Sequence, residues 1–391
     1  MRKKALTQET TEYASLFDLL EECKRRGLNK LETETAMRRY LDLKARKAGF
    51  PMRGSFELTP CCNLDCKMCY VHLTPQQLRN EKNSVLSGEQ WIDIIRQASD
   101  MGMFEATLTG GEALLHPEFD RIFLFMEEKN IYVNLKTNGL LLTPERVAFL
   151  KKHNVYGIQI TLYGCDEDSY ERVTGYRGFE IVMSAIKRVR EAEIPLELIV
   201  TPSRYIEPDM EKLLRLVDSL DVYYSVNPGL VDPLEETGRK RINHDMTLEH
   251  YIELDRIRAE LKGIRLEPVC EGDIPDAGGN SKERRCGLRC AAGRSVFSVS
   301  WRGMLHPCRL LERIGYDLTK LSFAEAWRNV NRESEDYPFP SECTGCKYEG
   351  ICPPCAVQHE SGAEIGHVNP KLCERARRLA VEGFIVRGNG G

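Results

Sequence analysis

Cys62-Asn63-Leu64-Asp65-Cys66-Lys67-Met68-Cys69 is the stretch on which the reading of this sequence turns. It directly follows Phe56-Glu57-Leu58-Thr59, a short run that reads as a strand. Three thiols, separated by three and then two residues, can converge from a single loop. A structural zinc site takes four ligands, and this segment offers no matching fourth. An iron–sulfur cluster held by three protein thiolates would instead keep one iron open. Cys61 is a neighbouring thiol, but only Cys62 begins the three-then-two spacing. The position is also apt, because reactive groups of barrel-like α/β proteins sit at the C-terminal ends of strands.

Outward from this loop the chain alternates between strand and helix. Further strands are predicted at 104–109, 132–136, 157–163, 196–201 and 222–226, with helices at 87–100, 117–129, 144–153, 179–193 and 209–220. Ser87 and Thr143 stand where N-cap residues belong, and Pro144 suits a first helical turn. The alternation predicts an α/β fold: a parallel sheet wrapped by helices, open or closed as a barrel, with six repeats against the eight of a complete barrel. Residues 1–52 form a helical region in which Leu16, Phe17, Leu19 and Leu20, then Leu31, Met37, Tyr40, Leu41 and Leu43 recur at helical spacing. A polar linker at 232–245 precedes a helix at 248–261, and beyond Cys270 the sequence turns loop-rich and cysteine-rich. The expected divisions are 1–52, 53–245, a bridging helical segment at 246–269, and 270–391.

Composition narrows the chemistry. The 391 residues are 42% hydrophobic and 29% charged, which excludes a disordered or low-complexity chain. The N-terminus lacks the apolar core of a signal peptide and no 18-residue apolar run occurs, so a cytoplasmic protein with no membrane association is expected. In that compartment the 15 cysteines point to metal binding or thiol chemistry rather than disulfides. A net charge of -4 gives no reason to expect nucleic acid. Residues 1–53 carry 13 Lys/Arg against 8 Asp/Glu, read as a solvated helical face, or alternatively as a surface for an acidic partner.

The motif resembles the CxxxCxφC signature of the radical SAM enzymes, with Met68 at the φ position. The resemblance implies a partial (β/α)6 TIM barrel in which Cys62, Cys66 and Cys69 hold a [4Fe–4S] cluster. It further implies that S-adenosylmethionine chelates the open iron and is cleaved reductively to a 5′-deoxyadenosyl radical. Thr109-Gly110-Gly111-Glu112, at the end of the second strand, resembles the family's GGE motif, which binds the amino group of S-adenosylmethionine; Ala113 follows where many members have Pro. Thr161-Leu162-Tyr163-Gly164 stands where relatives have a Ser-x-Asp-Gly-like segment contacting ribose. Thr161 keeps the hydroxyl and Tyr163 replaces the acid. Read without the family, GGE is a turn and Thr161 a strand residue.

Towards the C-terminus, Cys290, Gly303-Met-Leu-His-Pro-Cys308, Cys343-Thr-Gly-Cys346, Cys352-Pro-Pro-Cys355 and Cys373 resemble the SPASM extension of radical SAM enzymes, a loop-rich domain with two auxiliary Fe–S clusters. The resemblance assigns Cys343, Cys346, Cys352 and Cys373 to an outer cluster and Cys290, Cys308 and Cys355 to an inner one. The inner set is one ligand short, with Cys286 the nearest candidate. Zinc is the competing reading for paired CxxC elements, but five residues between pairs is shorter than a zinc ribbon uses. Cys23, Cys61, Cys165 and Cys270 read by default as free buried thiols, with Cys165 and Cys270 alternatively placed to reach the cavity as a hydrogen donor or ligand, and His116, His153 and His306 read as structural.

Enzymes of this layout mostly modify peptides. The resemblance therefore implies a maturase of a ribosomally made precursor peptide, forming a thioether or carbon–carbon cross-link. Peptide epimerisation, formylglycine formation in sulfatases and small-molecule dehydrogenation are the alternatives; from another class, an Fe–S electron-transfer or scaffold protein. Formylglycine-forming relatives carry an Asp after the GxxxxC cysteine, whereas this chain has Arg309. No catalytic acid, base or hydrogen donor is assigned. The implied partners are a flavodoxin- or ferredoxin-type electron donor and, since residues 1–50 are too short for a complete winged-helix leader-binding domain, a separate leader-binding protein or a reduced helical element.

Overall fold

The computed structural model describes residue 13 and residues 15–71, 73, 75–80, 85–227, 245–274, 287–349, 351–352, 355–360 and 363–384. At its centre β1 (Arg53–Glu57), β2 (Glu105–Thr109), β3 (Tyr132–Thr137), β4 (Gly157–Thr161), β5 (Leu196–Val200) and β6 (Tyr223–Val226) lie side by side in chain order, all parallel. These are the six strands expected from the sequence. The helices are α1 (Leu16–Arg25), α2 (Lys30–Ala48), α3 (Pro75–Asn80), α4 (Gly88–Asp100), α5 (Phe119–Glu128), α6 (Pro144–Lys152), α7 (Glu167–Thr174), α8 (Phe179–Glu191), α9 (Met210–Ser219) and α10 (Leu248–Leu261). Ser87 and Gln90 form a reciprocal capping box on α4, and Thr143 caps α6.

Further along come β7 (Val296–Val299), β8 (Met304–His306), β9 (Tyr316–Asp317), α11 (Phe323–Glu335), α12 (Ala356–Glu360) and α13 (Pro370–Val381). The sheet does not stop at residue 270. β7 pairs in parallel with the free edge of β1, and β8 and β9 extend it antiparallel, giving the order β6-β5-β4-β3-β2-β1-β7-β8-β9. Among the described residues the two edges, β6 and β9, do not pair, so the barrel is open. β7 also explains why the first strand starts at Arg53 rather than at Phe56: Arg53 to Phe56 stand opposite Val296 to Val299. Helix α7, which the sequence reading passed over, is short and stops at Gly175, whose φ of 73° suits only a residue without Cβ strain.

Strand alternation sorts the two faces of the sheet. Val133, Leu135, Ile158, Ile160, Leu198 and Val200 are buried against the helices. Ser55, Glu57, Thr107, Thr109, Asn134, Lys136, Gln159, Thr161 and Glu197 occupy the alternate positions. The inner face is thus polar, unlike the packed apolar interior of a complete TIM barrel. Barrel and C-terminal region share one core: Phe56 packs edge-on against Trp91 and Phe297, and Phe297 against Phe323 and Trp327. Helices α1 and α2 bury Leu19, Cys23, Ala36 and Tyr40 between them. Arg38 of α2 pairs with Glu105 at the start of β2, so this hairpin is fastened beneath the barrel, at the end opposite the Cys62–Cys69 loop.

Candidate active site

The loop from Pro60 to Tyr70 leaves the C-terminal end of β1 and leans on α7, where Asp65 and Lys67 donate backbone N–H bonds to the carbonyls of Thr174 and Val173. This fixes Cys62, Cys66 and Cys69 in one group. Burial, and then the Glu112 carboxylate and Cys69, push the Cys62 thiol up to about 12, and burial followed by Cys69 and Cys62 pushes Cys66 well above the usual range. The Tyr163 hydroxyl reaches Cys66, partly offsetting that shift. A bound metal would reverse these upward shifts, since it takes the thiolates and releases their protons. Met68 lies in the apolar core under the loop.

Gly110 and Gly111 let the β2 loop press against the β1 loop. Their neighbourhood shows why no side chain is tolerated: a Cβ on Gly110 would lie 2.3 Å from the Thr59 carbonyl oxygen, and one on Gly111 2.4 Å from that of Cys61. The close approach is sealed by Gly111 N–H to Thr59 O and Glu112 N–H to Cys61 O, each 2.8 Å. Glu112 is buried and its oxygens are engaged: Leu114 N–H donates to Oε1, and the Thr137 hydroxyl and Asn138 N–H donate to Oε2. Burial pushes its carboxyl above the ordinary range. Glu112 therefore ties the β2 and β3 loops together, a task its motif did not announce.

Thr137 and Asn138, which the sequence reading did not single out, complete this layer. Asn138 donates from Nδ2 to Asn63 Oδ1 at 2.7 Å and reaches Cys62 Sγ at 3.7 Å. The signal available was a polar Thr-Asn-Gly turn directly after a strand, with Gly139 at φ 86°. Thr161 ends β4 half-buried, one pleat below Tyr163.

The C-terminal thiols fall into two groups. Cys308 is pushed up to about 11, by burial first and then by Cys290 and Cys355. Cys343 and Cys352, also at about 11 by burial, sense Cys346 and Cys373, and these four line one small cavity with Phe339 and His359. Cys286 lies outside the described residues. Among the described residues, no three carboxylate, imidazole or thiol groups stand close enough to share a single ion. His116, His153 and His306 bond to Leu86 O, Glu127 and Ile314 O, in line with structural roles.

Between the first and second thiol groups sits a buried ion pair. Arg309 donates from Nε to Glu57 Oε2 at 2.5 Å and from Nη1 to Glu312 Oε1 at 3.0 Å, with its guanidinium 5.1 Å from the Trp301 ring centre. The Tyr70 hydroxyl donates to the other Glu57 oxygen at 3.3 Å. The residues that follow Cys69 and Cys308 thus meet on one carboxylate at the end of β1.

Residues 56–217 match the Radical SAM superfamily. An AdoMet-dependent heme synthase of Methanosarcina barkeri is 26% identical over 340 residues, covering 79% of this chain and 92% of that one. A PqqA peptide cyclase of Bradyrhizobium diazoefficiens is 24% identical over 324 residues, covering 78% and 81%. Among solved structures, Streptococcus suis SuiB bound to precursor peptide SuiA superimposes with a TM-score of 0.64 at 17% identity, over 88% of this chain and 80% of that one. Native anSMEcpe with bound AdoMet gives 0.65 at 17%, over 85% and 97%. At these identities the two structures speak for the fold.

Proposed function

We propose that the chain is a radical SAM enzyme with a SPASM-type C-terminal region and that it matures a ribosomally made peptide by hydrogen abstraction, forming a thioether or carbon–carbon cross-link. With its cofactors bound, the site would supply reductive cleavage of S-adenosylmethionine to a 5′-deoxyadenosyl radical, and an outlet for the second electron of an oxidative cross-link. Cys62, Cys66 and Cys69 would hold the cluster beside the open iron position. Gly110 and Gly111 hold the β2 loop against the β1 loop that carries these thiols, and the Glu112–Thr137–Asn138 layer would orient the methionyl group of S-adenosylmethionine beside them. The polar inner wall, with Thr161 at its upper rim, would face the cofactor and substrate.

The observation that carries this reading is the meeting of Tyr70 and Arg309 on Glu57, which supports an auxiliary thiol set standing against the wall of the radical cavity. Iron–sulfur clusters, in which each thiolate takes its own iron, are the occupants proposed for the grouped C-terminal thiols, with zinc the competing one. A guanidinium held by Glu57 and Glu312 beside Cys308 speaks against formylglycine formation by a base at that position. An electron donor of the flavodoxin or ferredoxin type and a cytoplasmic setting belong to the same proposal. Among the described residues no helix is long and apolar enough to cross a membrane.

A second reading, heme synthesis, is favoured by the Methanosarcina relative, matched over 92% of its length. One experiment separates the two. The anaerobically reconstituted enzyme, reduced in the presence of S-adenosylmethionine, should yield 5′-deoxyadenosine, and Cys66→Ala should yield none. Co-expression with short peptides encoded beside it should then give a product lighter by two hydrogens. A peptide of unchanged mass and inverted stereochemistry would indicate epimerisation instead. Untouched peptides, with a modified tetrapyrrole, would move the assignment to the second reading.

A further inference from the structure

His359 is a buried imidazole that the motif reading did not use, and its surroundings fix where its proton lies. It sits in α12, edge-on to Phe339 with ring centres 5.8 Å apart and planes at 86°. The backbone N–H of Asn369, the N-cap of α13, donates to His359 Nδ1 at 3.1 Å. Asn369 is itself held in place, donating from Nδ2 to Gln358 O and accepting Lys371 N–H on Oδ1. A ring nitrogen that accepts carries no proton, so the imidazole proton resides on Nε2. Nε2 stands 3.8 Å from Cys343 Sγ. The opposite arrangement, with the thiol donating to Nε2, would place a second N–H against that of Asn369.

We propose that His359 donates an N–H···S hydrogen bond to Cys343 and thereby sets the reduction potential of the outer centre. This rests on the reading that Cys343, Cys346, Cys352 and Cys373 hold an iron–sulfur cluster. A thiolate ligand is a stronger acceptor than a thiol, so the bond tightens when the sulfur is ligated. Hydrogen bonds to cluster sulfurs are among the protein's levers on potential, because they stabilise the more electron-rich, reduced state. His359 is thus a positioning and tuning residue, acting through Cys343. Its backbone N–H also bonds the Cys355 carbonyl at 3.1 Å, so the same turn of α12 adjoins a thiol of the inner group.

The test is a redox titration of the reconstituted full-length protein followed by electron paramagnetic resonance, the outer signal being the one that Cys346→Ser removes. His359→Phe keeps a flat ring but has no donor, and should shift that signal to more negative potential by about tenfold in equilibrium constant, or about 59 mV for a one-electron couple. His359→Gln, which can donate to sulfur and accept from Asn369, should recover most of the shift. An unshifted potential in His359→Phe would overturn the inference. In the wild type, which needs no variant to fold, 15N-labelled histidine should give a nitrogen coupling to the reduced outer signal, and its absence would equally overturn it. If Cys346→Ser removes neither iron nor signal, the four thiols hold no cluster; that reading fails and takes the inference with it.

Discussion

Glu57 is 1% exposed and Arg309 6%, and their ion pair is a case where removing one partner costs more than the pair contributes. Arg309→Leu strands a buried carboxylate, so a loss of about 3–5 kcal/mol is expected in anaerobic denaturant unfolding. Adding Glu57→Gln should restore most of it. A single variant as stable as the wild type would show that Glu57 finds water or protonates at little cost. In the sequence Arg309 was visible as a departure from the acid of formylglycine-forming relatives; its partner, far upstream on β1, was not. His116 provides a pH counterpart. Burial holds its imidazole below the ordinary range of about 6.5, while Leu86 O and Glu118 pull the other way. The unfolded chain therefore binds the extra proton first: stability is intact above about pH 6.5 and falls as pH drops below it. His116→Gln should flatten that slope in melting temperature between pH 7 and 5; an unchanged slope would assign it to other groups.

At the level of elements, the site is a contact between loops. The β1 and β2 loops touch through backbone, which is why paired glycines matter there independently of any cofactor. Gly110→Ala must relieve both a φ of 137° and a clash with the Thr59 carbonyl, at a cost of about 1–3 kcal/mol. Moving the loop should lower iron bound per chain after reconstitution and slow 5′-deoxyadenosine formation about tenfold or more, since 1.4 kcal/mol is a factor of ten. Gly102→Ala is the control: its φ is 102° but no atom lies within 4 Å of its Cβ position, so it should keep full iron. Equal loss in both would trace the effect to backbone strain alone. Most of this architecture was legible, because hydrophobic period and caps are local signals. Helix α7 was not, its eight residues burying only Tyr170 and Val173 among the apolar ones. Nor was the Asn138 layer, because an Asn in a turn reads as a turn residue until the opposing Asn63 and Cys62 are in view.

Over the whole molecule the sequence divides where the fold does not. Residues beyond 270 read as a separate loop-rich region since their cysteines dominate the pattern, yet β7 is short and apolar and finds its partner in β1. Pairing across such a separation leaves no local trace. The aromatic run Trp91–Phe56–Phe297–Trp327 then makes one core of both regions, with Phe56 and Phe297 fully buried and Trp327 2% exposed. A shared core should couple the stabilities of the regions. Trp327→Ala, in α11 at the far end of that run, is expected to cost about 3–5 kcal/mol. It should do so for barrel and C-terminal region together: intrinsic fluorescence and far-ultraviolet circular dichroism should report one coincident transition, shifted as a whole. Trp327 Nε1 also donates to Gly49 O at 2.6 Å, just after α2, so the N-terminal hairpin should loosen with it and become cleavable by protease near Gly49. Two separated transitions, only the later of them moved and with the hairpin still protected, would instead mean that the barrel folds without its C-terminal strands and that the auxiliary thiols are carried on an independent unit.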